Sequence, residues 1–216
     1  MDWQRAHFAE VAAALPEMAV ELHGSALEPQ QLDGWSDLDL RLTTGGRVPV
    51  TMLTTGSDVW AYEDVRTPTT EICRMVLTDG RRVDVSLDGD GRITGLQPAP
   101  DNEIRFVAAM AATKLGRGDR LIGGHLMLEL LRSCLVLAMQ LRDRDLGTTV
   151  HRHGSDRDRY ADQAMSLASL PLTITSRPNI VERATALYAT WRAELDAGYR
   201  PDWSGLSALI DRGLQR

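Results

Sequence analysis

Apolar and polar residues alternate with a period of two through much of the first hundred residues, a pattern typical of half-buried β-strands. Together with the turn residues between segments, this alternation predicts strands at 18–23, 37–42, 59–63, 71–77 and 82–87. Asp79-Gly80, between the last two, is a strong signal for a hairpin turn. A helix is predicted over 2–15, ended by Pro16.

After residue 100 the spacing of apolar residues becomes helical. Helices are predicted from Asp101 or Asn102 to about 115, then to about 144, and at 155–169, 177–197 and 203–214. The second of these is apolar nearly all round over 126–141, so we expect it to form the centre of a bundle. The fold class is therefore predicted to be α+β, with one lobe at 1–100 and a helical bundle domain at 101–216.

The composition is that of a soluble globular protein, with 43% hydrophobic and 25% charged residues. The net charge of −6 is uneven, because residues 1–100 hold 16 acidic and 8 basic side chains whereas 101–216 hold 14 and 16. An acidic first half argues against a nucleic-acid partner and suits a metal with a cationic small molecule, although surface charge also drifts freely. No apolar run approaches the roughly 18 residues of a membrane helix and the first residues lack a signal-peptide core, so we expect no membrane association and a cytoplasmic location. Cys73 and Cys134 are expected to be buried, reduced thiols.

Candidate chemistry lies between His23 and Leu40. Gly24 and Ser25 end an apolar run, and Asp37 and Asp39 follow one residue apart. On a strand these two aspartates would share a face, and side-by-side carboxylates are commonly tolerated through a divalent cation with oxygen ligands. Gly24 allows close approach of a phosphate, and Ser25 offers a hydroxyl and an N–H to it. Asp-x-Asp pairs also occur in solvated strands and turns without any ligand.

A third carboxylate, Asp84, lies between Val83 and Val85 and should point to the opposite face from both. The three pieces together resemble the signature of the nucleotidyltransferase superfamily of the DNA polymerase β type. In that family an apolar residue, Gly, and Gly or Ser precede an Asp-apolar-Asp strand, and a third carboxylate follows on a later strand. The resemblance covers roughly the first ninety residues and implies a nucleotidyltransferase catalytic domain with a mixed β-sheet and flanking helices, including a short helix within 47–55.

The second half of the chain narrows the choice of family within this superfamily. Lys114 to Asp119 followed by a long apolar helix is similar to the bundle domain of antibiotic nucleotidyltransferases, such as the aminoglycoside adenylyltransferases and lincosamide nucleotidyltransferases. This similarity implies that the bundle contributes to binding a small-molecule hydroxyl acceptor. It leaves a homodimer open, since an active site shared between subunits occurs among the relatives.

The resemblance also implies the roles of the site residues. Asp37, Asp39 and Asp84 would hold Mg²⁺, with two ions expected, and Asp84 would also act as general base. Gly24 and Ser25 would hold the phosphates of a nucleoside triphosphate, for which ATP is the family's commonest choice. Transfer of the nucleoside monophosphate to the acceptor would release pyrophosphate.

Three further residues are candidates with plain structural alternatives. Lys114, the only lysine in the chain, would reach the triphosphate or complement the helix dipole. Glu129 would meet a cationic acceptor or pair with Arg132, and His125 shares its helix face. Trp35 would stack on a ligand or serve as packing.

Two other functions remain open. One is a nucleotidyltransferase acting on protein or tRNA in a toxin-antitoxin setting, with a HEPN-like helical half. Arg120 with His125, and Arg144 with His151, match the Arg-x4-6-His spacing of ribonucleases of that type. The other is a binding module that kept the fold and lost its chemistry, which the presence of all three carboxylates argues against.

Overall fold

A computed structural model of the chain describes residues 3–28, 30, 32–150, 154–170 and 177–215. The chain divides into two compact units, one of Met1–Phe106 with Ser204–Arg216 and one of Val107–Trp203. Its strands are β1 (Ala19–His23), β2 (Leu38–Thr43), β3 (Arg47–Pro49), β4 (Val59–Arg66), β5 (Thr70–Leu77), β6 (Arg82–Asp88) and β7 (Arg92–Thr94). Its helices are α1 (Trp3–Ala14), α2 (Asn102–Gly116), α3 (Arg120–Leu146), α4 (Arg159–Ala168), α5 (Arg177–Leu195) and α6 (Ser204–Leu214). The predicted α+β class is confirmed.

The first unit is built on a mixed sheet of five strands in the order β1-β2-β6-β5-β4. β2 and β6 run parallel, while β1 with β2, β6 with β5, and β5 with β4 are antiparallel. β3 and β7 form a separate two-stranded parallel sheet. The predicted hairpin of β5 and β6 is present, with Gly80 at a positive φ in its turn.

One face of the five-stranded sheet forms the core of the first unit. The register of β2 on β6 sets their apolar side chains side by side, and Val11 and Leu15 of the α1 region join the same cluster. The inward residues of the two strands are at most 2% exposed: Leu38, Leu40, Leu42, Val83, Val85 and Leu87. Because neighbouring residues of a strand point to opposite faces, the alternate polar residues lie on the other face of the sheet.

The last helix, α6, belongs to the first unit, whereas the sequence-based division placed it with the helical half. Two of its glycines lie flat against tryptophan rings, Gly205 on Trp60 and Gly213 on Trp35, and any Cβ there would overlap the ring. Glycine is needed at both positions because the ring occupies the space of a side chain. The pairing joins residues far apart in the sequence, so local periodicity could not reveal it.

In the second unit, α3 packs against α4 and α5. Its buried residues recur at helical spacing along one face: Met127, Leu130, Leu131, Cys134, Leu137, Ala138 and Leu141. α3 contacts both α4 and α5, as expected of the central helix of a bundle, but Leu121 and Leu128 are 88% and 60% exposed. The helix is apolar on more faces than its neighbours cover. Cys73 and Cys134 are both buried and free, as predicted.

By length and composition alone, α3 is apolar enough to cross a membrane. The sequence-based prediction of no membrane helix required an unbroken apolar run, and Glu129 and Arg132 break the run in α3. A core helix of a soluble protein meets the same criterion, and 39% of the 18-residue apolar stretch within α3 is buried.

The local structure differs from prediction at two places. The short helix expected within 47–55 is present only as a 3-10 helix at Val50–Met52, and it follows a short strand, β3, that was not predicted. β-branched and proline residues in this segment favour the extended backbone that pairs with β7. The strand β7 itself was not predicted, since three residues are too few to show a period.

A buried histidine ties α1 to the loop before β4. His7 is 1% exposed, and its Nε2 lies 2.8 Å from the carbonyl oxygen of Leu53. Its Nδ1 lies 2.8 Å from Nη1 of Arg81, which can only donate. These partners require the neutral ring with its proton on Nε2. Burial lowers the pKa of His7, and the nearby Arg81 charge lowers it further against the Leu53 hydrogen bond.

The protein is expected to lose stability as the pH falls below about 6.5, the ordinary pKa of histidine, because the unfolded chain then binds a proton at His7 that the folded chain resists. Above that pH the contribution is fully present. Urea unfolding between pH 7.5 and 5.5 measures the effect, with His7→Gln as a control that cannot titrate. Other groups titrate in this range, so the difference in slope between the two proteins is the measure, and equal slopes would contradict the assignment.

Gly213→Ala is expected to lower the free energy of unfolding by about 1–3 kcal/mol, because the new Cβ would overlap the Trp35 ring. Gly124→Ala is the matched control, since a Cβ at this α3 position would meet open space. There the gain in helix propensity should stabilise the protein by about 0.5–1 kcal/mol. Thermal unfolding of the two variants should therefore give midpoint shifts of opposite sign, and shifts of the same sign would show that the ring contact is not tight.

Candidate active site

Three aspartates meet on the polar face of the sheet, where β2 and β6 run side by side. Asp39 in β2 lies directly opposite Asp84 in β6. Asp37, just before β2, shares the face of Asp39 because it is two residues away. One carboxylate oxygen from each aspartate lies within 4.8 Å of the other two, and all three residues are half-buried. Residues far apart in the sequence thus form one acidic cluster.

The cluster has the chemistry of a divalent-cation site. Its donors are all carboxylate oxygens, which Mg²⁺ prefers, and they converge on one point at the sheet surface. Burial raises the pKa of Asp84 to about 7. Arg82 opposes that rise, and the neighbouring charges of Asp37 and Asp39 add to it. A cation between the carboxylates would reverse this repulsion and favour the ionised form.

Two arginines that the sequence analysis did not single out border the carboxylates. Nη2 of Arg82 donates to Oδ2 of Asp37 at 2.7 Å, and Nη1 lies 3.5 Å from the carbonyl oxygen of Trp35. Arg74 on β5 lies 3.8 Å from Oδ2 of Asp84 and bonds Glu63 at 2.7 Å. Arg82 could have been predicted from the sequence, because it precedes Asp84 by two residues in the same strand and must lie on the same face of the sheet.

Gly24 sits directly against the cluster. Its φ is +61°, and a Cβ at this position would collide with the carboxylate of Asp39. The glycine is therefore required by the backbone conformation and by the close approach of a proposed metal ligand. Ser25 is half-buried in the 3-10 turn Gly24–Leu27 that follows β1. The Gly-Ser pair and the aspartates, predicted to act together, are adjacent in space.

A cavity of about 240 Å³ opens beside the aspartates. It is lined by His23, Gly24, Asp39, Leu40, Arg41, Asp84 and Ser86. Arg41, which lies 3.3 Å from Asp88, and the hydroxyl of Ser86 add hydrogen-bonding groups next to the carboxylates. The space is large enough for part of a small polar ligand in contact with Asp39 and Asp84.

The remaining candidates are Trp35, Lys114 and Glu129. Trp35 is 8% exposed with its ring against Gly213, which fits the packing alternative rather than an open stacking surface. Lys114 on α2 and Glu129 on α3 are half-buried residues of the second unit. Within the described part of the chain, no hydrogen bond or ion pair joins the Glu129 carboxylate to His125 or Arg132, so the expected pairing with Arg132 is not formed. The ligand roles of Lys114 and Glu129 stay predictions.

Of the two Arg-His pairs of the ribonuclease alternative, the structure describes both residues of only one. Arg120 and His125 are both exposed on α3. Arg144 lies 3.6 Å from Glu194 and donates to its backbone oxygen at 2.7 Å, so its guanidinium is engaged within the bundle. His151, its proposed partner, lies outside the described residues.

Comparison with known proteins gives little further information. No family model and no curated protein matches the sequence. Among solved structures, the polymerase core of TRAMP, a RNA surveillance complex, is similar at 15% identity with a TM-score of 0.30. The match covers 87% of this chain and 57% of that one, so this chain spans a little over half of that length. A likeness this distant carries no argument about function, which must rest on the site itself.

Gly24→Ala is expected to weaken binding of Mn²⁺ about 10–100-fold, because its Cβ would push Asp39 away from the other carboxylates. Isothermal titration calorimetry on the two proteins measures the change. Gly45→Ala is the control, since a Cβ there meets nothing within 4 Å. Equal affinities for Gly24→Ala and the unaltered protein would show that Asp39 does not bind the ion from this position.

Proposed function

We propose that this protein is a divalent-cation-dependent nucleotidyltransferase that transfers a nucleoside monophosphate to a hydroxyl of a small molecule. The observation that carries the proposal is the meeting of Asp37, Asp39 and Asp84 at one point beside Gly24. Three half-buried carboxylates on paired strands are costly unless a cation or a reaction uses them. A glycine that brings backbone against them supports a phosphate-bearing ligand of that cation.

In the proposed reaction each residue has a defined task. Asp37, Asp39 and Asp84 would hold Mg²⁺, which would supply positive charge to offset that of the triphosphate. The backbone at Gly24 and the Ser25 hydroxyl would bond the phosphate oxygens. The acceptor hydroxyl oxygen bonds to the α-phosphorus, the bond from that phosphorus to the bridging oxygen breaks, and pyrophosphate leaves.

Asp84 is the proposed general base for the acceptor proton. Its half-buried carboxylate offers one oxygen to the ion, and the other oxygen would take up the acceptor proton. Asp84 also borders the 240 Å³ cavity, where the acceptor hydroxyl would be held. Arg41 and Ser86 on the same wall would orient neighbouring polar groups of the acceptor.

The proposed acceptor is a cationic antibiotic of the aminoglycoside or lincosamide type. Charge supports this choice, because the polar face of the sheet and its edge carry six carboxylates and three guanidinium groups among the described residues. The carboxylates are those of Glu21, Asp37, Asp39, Glu63, Asp84 and Asp88, and the guanidinium groups those of Arg41, Arg74 and Arg82. An acidic face of this kind attracts amines and repels a polyanion such as RNA. ATP is the proposed donor.

A pyrophosphate-release screen tests the proposal. Each of the four nucleoside triphosphates would be offered with panels of aminoglycosides and lincosamides, with Mg²⁺ or with EDTA. Release that requires both Mg²⁺ and one acceptor class is the expected result. Failure with both panels while the nucleotide still binds would overturn the proposed acceptor class and leave a macromolecular acceptor or a binding module as the alternatives.

Asp39→Asn is expected to reduce transfer by roughly a thousandfold or more while the fold stays intact, because the change removes a metal ligand charge. Asp90→Asn is the control, as Asp90 is an exposed aspartate of the same unit outside the cluster. Initial rates of pyrophosphate release measure both variants, with circular dichroism to confirm folding. Undiminished transfer by Asp39→Asn would refute the metal assignment.

A further inference from the structure

The ion pair of Arg82 with Asp37 is the most buried charge contact of the candidate active site. The two side chains are 8% and 18% exposed, and Nη2 of Arg82 lies 2.7 Å from Oδ2 of Asp37. Continuing the β2–β6 register by one residue places the two directly opposite, one step before the Asp39–Asp84 pair. One oxygen of Asp37 is therefore engaged by a protein cation at the place where a metal ion would bind.

Arg82 has few other contacts that would turn it away. Nη1 lies 3.5 Å from the carbonyl oxygen of Trp35, and Nε is buried without a hydrogen bond to the described residues. The ring of Trp35 is in turn fixed against Gly213 of α6. Asp37 is therefore the closest polar partner of the Arg82 guanidinium, which lies in a buried position.

Such an arginine has two opposing effects on metal binding. By ordering the Asp37 side chain it would strengthen binding, but the rotamer freedom of one aspartate changes an affinity only about twofold to threefold. Its positive charge would weaken binding, since two cations would share one carboxylate a few ångströms apart. At an effective dielectric constant near 20, that repulsion is worth tenfold or more in affinity. The charge effect should win.

We propose that Arg82 is a built-in counter-cation that lowers the affinity of the three aspartates for a free divalent ion. The inference rests on the proposed function of that site. It implies that the ion is held firmly only when the anionic triphosphate accompanies it and leaves again with pyrophosphate. Arg82 is a positioning and tuning residue in this account, because it acts through Asp37 and touches no reacting atom.

The test uses Mn²⁺ alone as the probe, at pH 8, which lies above the pKa of about 7 of Asp84. Arg82→Met removes the charge and keeps a long side chain in the buried position. Calorimetry is expected to show Mn²⁺ binding about tenfold tighter, or more, than in the unaltered protein. Arg82→Lys keeps the charge and should stay within about threefold of it.

Arg74→Met is the matched control, because Arg74 also borders a metal ligand, at 3.8 Å from Asp84, but its side chain is 46% exposed. Solvent screens that charge, so its removal should change the affinity less than about threefold. Arg82→Gln repeats the charge removal with a side chain that still donates to Asp37, should the Met variant not fold.

Thermal unfolding gives a second readout that a purely structural role would not produce. In EDTA the Arg82→Met midpoint should lie below that of the unaltered protein, since Asp37 loses its partner. Added Mn²⁺ should raise the midpoint of the variant by more than it raises the unaltered protein, because the ion replaces the missing charge. An equal loss with and without Mn²⁺ would overturn the proposal.

Unchanged or weaker Mn²⁺ binding by a folded Arg82→Met or Arg82→Gln variant would also overturn it, and the proposed nucleotidyl transfer would still stand. A failure of the unaltered protein to bind Mn²⁺, alone or with a nucleoside triphosphate, would overturn both proposals.

Discussion

The parallel pairing of β2 with β6 is the constraint on which the candidate site depends. Within each strand, leucine or valine alternates with polar residues. The register places apolar residues of one strand beside apolar residues of the other, and polar residues beside polar ones. Burial of the apolar set fixes that register, since a slip by one residue would turn every leucine outward. The same register forces Asp39 against Asp84. Hydrophobic burial therefore provides the free energy that holds two like charges together.

The arginines near the aspartates offset this repulsion more strongly at Asp37 than at Asp84. Asp37 has a buried guanidinium at 2.7 Å, whereas the nearest arginine to Asp84 is half exposed and 3.8 Å away. Burial, with the charges of Asp37 and Asp39, raises the pKa of Asp84 to about 7. One strand pair thus presents one carboxylate paired with a buried guanidinium and another whose nearest guanidinium is half exposed.

The first unit is completed by a helix from the far end of the chain. Gly205 and Gly213 let α6 lie directly on Trp60 and Trp35, and Trp35 in turn offers its carbonyl oxygen near Arg82. Packing at the C-terminus is in this way continuous with the loop that carries Asp37. In the second unit, α3 keeps large apolar side chains such as Leu121 and Leu128 exposed while its other face packs on α4 and α5. Its buried face shares the core of that unit with residues of α4 and α5 such as Leu167 and Trp191.

The sequence by itself determined the fold class, most strand and helix positions, the buried thiols and the set of aspartates that share a sheet face. Each of these follows from periodicity or from spacing within one segment, and such local signals survive without knowledge of the fold. Tertiary structure alone decided that α6 returns to the first unit, that Arg82 reaches Asp37 and that Gly24 lies against Asp39. The strand β7 and the exposed side of α3 belong to the same group. These features depend on which distant segments meet in the fold. Whether a position has room for a side chain is decided by neighbours in space, and these are often far away along the chain.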